Sequence, residues 1–191
     1  MKALMSCGGY LTDSMGDSMK RVAILLSALL VVAGASYAGL FGSNKYEKEV
    51  ETETSAVNLA REAASGGYQL VTTAELKGWM DDDKPMLIID AMPLEASYNK
   101  AHIPGAKQFL FPIPDMKEWN SAETENRSLE DYQALLGNDK EIPIVVYCGF
   151  VKCTRSHNAA IWAKKLGFNN VYRYPGGIYA WQGAGYAIAS Q

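Results

Sequence analysis

The sequence predicts an α/β fold on a mainly parallel sheet, and three observations carry that expectation. Met86–Asp90 (MLIID) and Ile142–Tyr147 (IPIVVY) are short apolar runs that read as strands buried on both faces. Segments of helical spacing, several with capping signals, lie between the strand-like runs. Strands therefore alternate with helices, as in βαβ units, and no long internal repeat divides the chain, so a single domain carries them.

The 191 residues are 48% hydrophobic and 20% charged, which suits one globular domain with appendages. A net charge of −3 gives no footprint for nucleic acid, and three cysteines are too few for a disulfide scaffold. Cys148 and Cys153 have no second pair at zinc spacing, so no metal site is expected.

In chain order, residues 1–18 have no apolar pattern and read as an upstream extension, with Met19 as the true start. Met19–Ala38 has the anatomy of a secretory signal peptide: Lys20 and Arg21, an apolar core over Val22–Val32, and a small-x-small site at Ser36-Tyr37-Ala38. The expectation is an exported, periplasmic protein with no membrane contact after cleavage. Apolar character through Leu40 and Phe41 supports the alternative of an uncleaved anchor. Cleavage removes Cys7 and leaves Cys148 and Cys153 in an oxidising compartment. Residues 39–67 read as a charged helical tether ending at Gly66-Gly67, with no chemistry assigned.

The compact domain is expected over residues 68–191. Gln69–Val71 is a short strand, and Thr72 with Glu75 forms a capping box for a helix presenting Leu76, Trp79 and Met80. Asp81-Asp82-Asp83 reads as its solvated end. Met86–Asp90 is the second strand, Pro93–Lys100 a short helix, and Gln108–Phe111 the third strand. Asp90 and His102 are expected to give structural support, Asp90 by accepting from loop N–H groups and His102 by holding a turn. The irregular Pro112–Arg127 has the length of a wall or lid. Ser128 caps a helix over Leu129–Leu136, with Asp131 at its third position and Gly137 past its end. Val171–Tyr174 makes a fifth strand, and Ile178–Gln182 a terminal helix carrying Trp181.

The chemistry centres on Cys148, which ends the Ile142–Tyr147 strand and opens the loop Gly149–Thr154 before a helix beginning at Arg155-Ser156. Ligands of open α/β sheets bind at such strand ends. Backbone N–H groups there, with Lys152 and Arg155, suit a thiolate and an anionic substrate. Thr154 and Ser156 read as helix caps.

Four pieces, LIIDA (Leu87–Ala91), AHIPGA (Ala101–Ala106), IVVYC (Ile144–Cys148) and RYPGGIYAW (Arg173–Trp181), occur in the order of a single-domain rhodanese. The chain resembles that family over about Tyr68–Ala187. The resemblance implies a rhodanese-like α/β domain, a five-stranded parallel sheet flanked by helices, with Cys148 as the catalytic cysteine that carries a persulfide. It also makes Arg155 the approximate counterpart of the loop-closing basic residue. The implied activity is sulfur transfer from a small anionic donor, thiosulfate or a persulfide, to a thiol or cyanide, with no cofactor beyond the covalent persulfide. Gly149, Phe150, Val151, Lys152, Thr154, Arg155 and Ser156 would line the substrate. The loop, eight residues from Cys148 to Arg155 inclusive, is longer than in common single-domain rhodaneses or the related phosphatases, which argues against phosphatase chemistry. Two alternatives are a thiol–disulfide or persulfide relay in which Cys153 resolves a Cys148 persulfide, and a non-catalytic module that senses oxidants or anions.

Overall fold

The structure, a computed structural model, describes residues 44–191. The upstream extension, the signal peptide and the start of the tether lie outside the described residues. Among the described residues no helix is long and apolar enough to cross a membrane.

Five strands form one sheet: β1 (Gln69–Leu70), β2 (Leu87–Asp90), β3 (Lys107–Gln108), β4 (Ile144–Tyr147) and β5 (Val171–Tyr174). Their order is β1-β5-β4-β2-β3, and every pair is parallel. Among the described residues, five α-helices accompany them: α1 (Lys45–Gly66), α2 (Thr73–Asp81), α3 (Leu129–Leu136), α4 (Arg155–Lys165) and α5 (Gly177–Gly183). The α/β class and the parallel sheet stand as the sequence predicts.

Strand parity divides the core into two layers. Ile144 and Val146 of β4, with Ile89 and Val171, face Tyr132 and Leu136 of α3 and Ala159, Ala160 and Ala163 of α4. Val145 and Tyr147 face the opposite layer, with Leu76, Ile103, Ile178 and Trp181. Cys148, two residues beyond Val146, belongs to the α3/α4 layer. The capping boxes form as read: Thr72 with Glu75 at the start of α2, and Ser128 with Asp131 at the start of α3.

Several elements differ from the sequence reading in extent or kind. The third strand spans Lys107–Gln108 rather than Gln108–Phe111, because its partner β2 stops at Asp90. Asp90 turns the chain there by accepting the Met92 N–H at 2.9 Å. The short helix read over Pro93–Lys100 is a π-helix over Leu94–Tyr98, closed by bonds from Tyr98 N–H to the Pro93 carbonyl and from Asn99 N–H to the Leu94 carbonyl. Residues 112–127 are irregular, as read from the sequence, with one short 3-10 turn at Ser121–Glu123, and are fastened to α4. Asn158 donates to the carbonyls of Pro112 and Pro114 and accepts from Met116 N–H, while Trp162 donates to the Met116 carbonyl. This segment is a bound wall beside α4.

The N-terminal boundary of the domain differs as well. The compact unit runs over Thr52–Gln191 and so begins inside α1, well before Tyr68. Ala63 packs against the core, and Glu62 pairs with Arg173 of β5. The C-terminal part of the expected tether is therefore part of the domain. The preceding unit's described part, residues 44–51, holds the first turns of α1, where the Asn44 side chain accepts from Tyr46 and Glu47 N–H at 3.0 Å each.

Candidate active site

β4 delivers Cys148 to the carboxyl edge of the sheet, and the chain then loops through Gly149–Thr154 into α4. Cys153 N–H bonds back to the Phe150 carbonyl at 2.9 Å, a turn that folds Cys153 toward Cys148. The Cys148 thiol donates to the Cys153 carbonyl at 3.0 Å, and its Sγ lies 3.2 Å from Ser156 Oγ. Both thiols are free and enclosed: Cys148 is 1% exposed and Cys153 8%.

The base of the loop rests on a residue the sequence reading did not single out. Arg173 of β5 is fully buried, and its Nε donates to Ser156 Oγ at 3.0 Å. Nη2 donates to the carbonyls of Cys153 (3.0 Å) and Val151 (3.4 Å). Nη1 bonds to Glu62 and, at 3.3 Å, to the Tyr68 hydroxyl, which in turn meets His157 Nδ1 at 2.7 Å. Because Ser156 Oγ accepts from Arg173 and the Cys148 proton points at the Cys153 carbonyl, the Ser156 hydroxyl proton is free to point at Cys148 Sγ. Ser156 is thus a sulfur-facing donor and not a helix cap. Thr154, at the N-cap position, has no side-chain cap bond either and gives its hydroxyl to the Ile113 carbonyl.

Electrostatics separate the two thiols. Burial, followed by the hydrogen bond and charge of Cys153, pushes the Cys148 thiol well up, while Ser156 pulls the other way. The hydrogen bond from Cys148 draws Cys153 down to about 6, helped by Gly149 and Arg155 N–H groups and the Arg155 charge and opposed by its burial. The two thiols are thus pushed apart, Cys148 upward and Cys153 downward. The loop N–H groups divide between the two sulfurs: those of Gly149 and Arg155 serve Cys153 and that of Ser156 serves Cys148, whose Sγ also meets a carbonyl oxygen that favours its protonated form.

The other sequence-named residues divide. Gly149 and Ser156 are buried beside the thiols, and Lys152, Phe150 and Val151 are exposed on the loop. Arg155 directs its guanidinium to the Phe111 carbonyl. Asp90 is buried at the end of β2; desolvation raises its carboxyl to about 6, against the pull of the Tyr147 hydroxyl and the Met92 N–H. His102 stacks on Tyr98 at 3.9 Å between ring centroids, and its Nδ1 lies 2.8 Å from the Tyr98 carbonyl. Neither Asp90 nor His102 bonds to a cysteine. Among the described residues no group of three or more His, Cys, Asp or Glu is arranged to hold a metal ion.

The family model of the rhodanese-like domain matches residues 72–184. The chain belongs to that family. Among solved structures, the rhodanese-like chain shares its fold with the thiosulfate sulfurtransferase of Pseudomonas aeruginosa, at 22% identity and a TM-score of 0.51, over 71% of this chain and 23% of that one. The rhodanese-like domain of an Anabaena protein aligns at 22% identity and a TM-score of 0.47, over 64% of this chain and 79% of its own. No curated protein matches the chain. A signal for Arg173 does exist in the sequence: strand parity puts it on the same face as Val171, an interior position where an arginine needs buried partners.

Proposed function

We propose that this rhodanese-like protein is a sulfurtransferase that carries sulfane sulfur as a persulfide on Cys148. The observation that carries the reading is a buried thiol at the carboxyl end of β4, with the Ser156 hydroxyl 3.2 Å from its sulfur and a second free thiol in the same loop. Loading starts when the Cys148 proton moves to the Cys153 sulfur. The Cys148 thiolate attacks the outer sulfur of thiosulfate, the S–S bond of the donor breaks, and sulfite leaves with the electron pair. An acceptor thiolate or cyanide then takes the outer sulfur and returns Cys148 as thiolate. A persulfide donor follows the same course with a thiolate as leaving group.

The loop residues serve this chemistry in different ways. Gly149 and Arg155 N–H groups hold the charge on Cys153, and Ser156 supports the Cys148 sulfur. Lys152 is exposed where an anionic donor arrives, and Phe150, stacked on Tyr179 at 5.5 Å, forms an apolar rim with Val151. Arg155 acts through its charge and backbone, since its side chain is engaged by Phe111. Thr154 fixes the loop to the neighbouring wall.

Cys148→Ser is the test. Serine is nearly isosteric and its hydroxyl is not ionised, so the variant should keep its thermal melt and lose sulfur transfer from thiosulfate to cyanide. Undiminished turnover would remove Cys148 from the mechanism.

A further inference from the structure

The proposed transferase gives Cys153 only a proton to hold, yet the geometry prepares it for more. The Cys148 thiol donates to the Cys153 carbonyl at 3.0 Å, the Gly149 and Arg155 N–H groups help to hold the Cys153 thiol below its ordinary range, and Arg173 on its carbonyl and the turn from Phe150 keep it in place. Cys148 is almost wholly enclosed, so an external thiol must enter the loop to reach the sulfur it carries. An internal thiol already there has the advantage of a fixed neighbour over a diffusing one.

We propose that Cys153 is the internal acceptor that reduces the Cys148-bound sulfur to hydrosulfide, closing a Cys148–Cys153 disulfide. The inference rests on the Cys148 persulfide described above. The proton that Cys153 received during loading passes to the outer sulfur, giving Cys148–S–SH beside a Cys153 thiolate. That thiolate attacks Cys148 Sγ; the Cys148–Cys153 bond forms as the bond to the outer sulfur breaks, and HS⁻ leaves with the electron pair. The sulfane sulfur gains two electrons and the two cysteine sulfurs together lose two. A dithiol reductant regenerates the site, breaking the protein disulfide and leaving as its own cyclic disulfide. The added activity is dithiol-dependent conversion of sulfane sulfur to sulfide.

The test uses the full chain, reduced and freed of reductant, then mixed with thiosulfate and no acceptor. The wild type should release one sulfide per chain and end as the disulfide, and supplying dithiothreitol should make release continuous. Cleavage after Lys152 separates the two cysteines, so a disulfide joins two peptides that are otherwise distinct in mass. Cys153→Ala and Cys153→Ser remove the proton acceptor of the loading step as well as the internal thiol, so all proteins are loaded above the ordinary thiol pKa, where Cys148 gives its proton to solvent; once loaded, each variant should hold one extra sulfur on the Cys148 peptide and release no sulfide until an external thiol is added. Two variants guard against a packing defect in either. A wild type that keeps its persulfide without releasing sulfide, or variants that release sulfide as the wild type does, would overturn the internal acceptor while leaving the transferase intact. If neither the wild type nor the variants gain sulfur on Cys148 or release sulfite, both readings fall.

Discussion

A guanidinium in the middle of a parallel sheet is tolerated only when its charge and its donors are met, because each unmet donor costs about 1–3 kcal/mol. Arg173 meets Ser156, Glu62, Tyr68, Val151 and Cys153, so one side chain ties the sheet to both ends of the cysteine loop. The same arrangement leaves the acidity of the site on Cys153, and this can be measured. Alkylation requires thiolate, whose fraction grows as pH rises through the pKa, so Cys153 labelling should reach half its plateau rate near pH 6 instead of near the ordinary thiol value. The largest cause is the Cys148 hydrogen bond; Cys148→Ala should therefore move the profile to higher pH, and Cys148→Ser, which keeps a donor, should move it less. A wild-type profile centred near an ordinary thiol would contradict the charge placement. At this scale the sequence was only half legible. The end of an apolar strand marks Cys148, but the parity of VYRY had to be taken seriously to see Arg173, and its partner Glu62 lies 111 residues away.

Elements whose signals are local were readable, and those that depend on a neighbour were not. Thr72 with Glu75 and Ser128 with Asp131 each settle a helix start within four residues of chain. The length of β3 depends on where β2 ends, which nothing in Gln108–Phe111 records. The start of α5 is the functional counterpart. Ile178 and Tyr179 donate to the carbonyls of Cys148 and Gly149 at 3.0 Å each, so the helix holds the first peptide of the loop. Gly177 makes this approach feasible: its φ is 59°, and a Cβ there would meet the Cys148 carbonyl oxygen and stand 2.7 Å from the Gly149 oxygen. Gly177→Ala should displace the Cys148–Gly149 peptide and lower both the melting temperature and sulfur transfer. Gly105→Ala is the control, since Gly105 has a φ of 81° but nothing within 4 Å of an added Cβ. That variant carries the backbone cost alone, about 1 kcal/mol, and should retain activity. Equal loss of activity in both would show that the close contact at Gly177 is immaterial.

At the scale of the whole molecule, the interior of the site reaches into a helix whose sequence looks like a solvated tether. The charged run before Ser65 hides Glu62 among other exposed acids, and its purpose emerges only when β5 brings Arg173 beneath it. Glu62 is 27% exposed and Arg173 wholly enclosed, so removing the carboxylate strands a buried cation without flooding it with water. Breaking a fully buried pair costs about 3–5 kcal/mol, and partial exposure reduces this, so Glu62→Gln should destabilise the domain by about 2 kcal/mol. The same change weakens the anchor on Val151 and Cys153, and labelling of both cysteines should become faster than the fall in stability alone explains. Truncation gives an independent measure. A chain beginning at Thr52 should match the full chain in denaturant midpoint. One beginning at Tyr68 loses Glu62 together with the packing of Ala63, and should be less stable than the Glu62→Gln variant. If the Tyr68 chain unfolds at the same denaturant concentration as the Thr52 chain, the C-terminal part of α1 contributes nothing to the domain and Arg173 finds its counter-charge elsewhere.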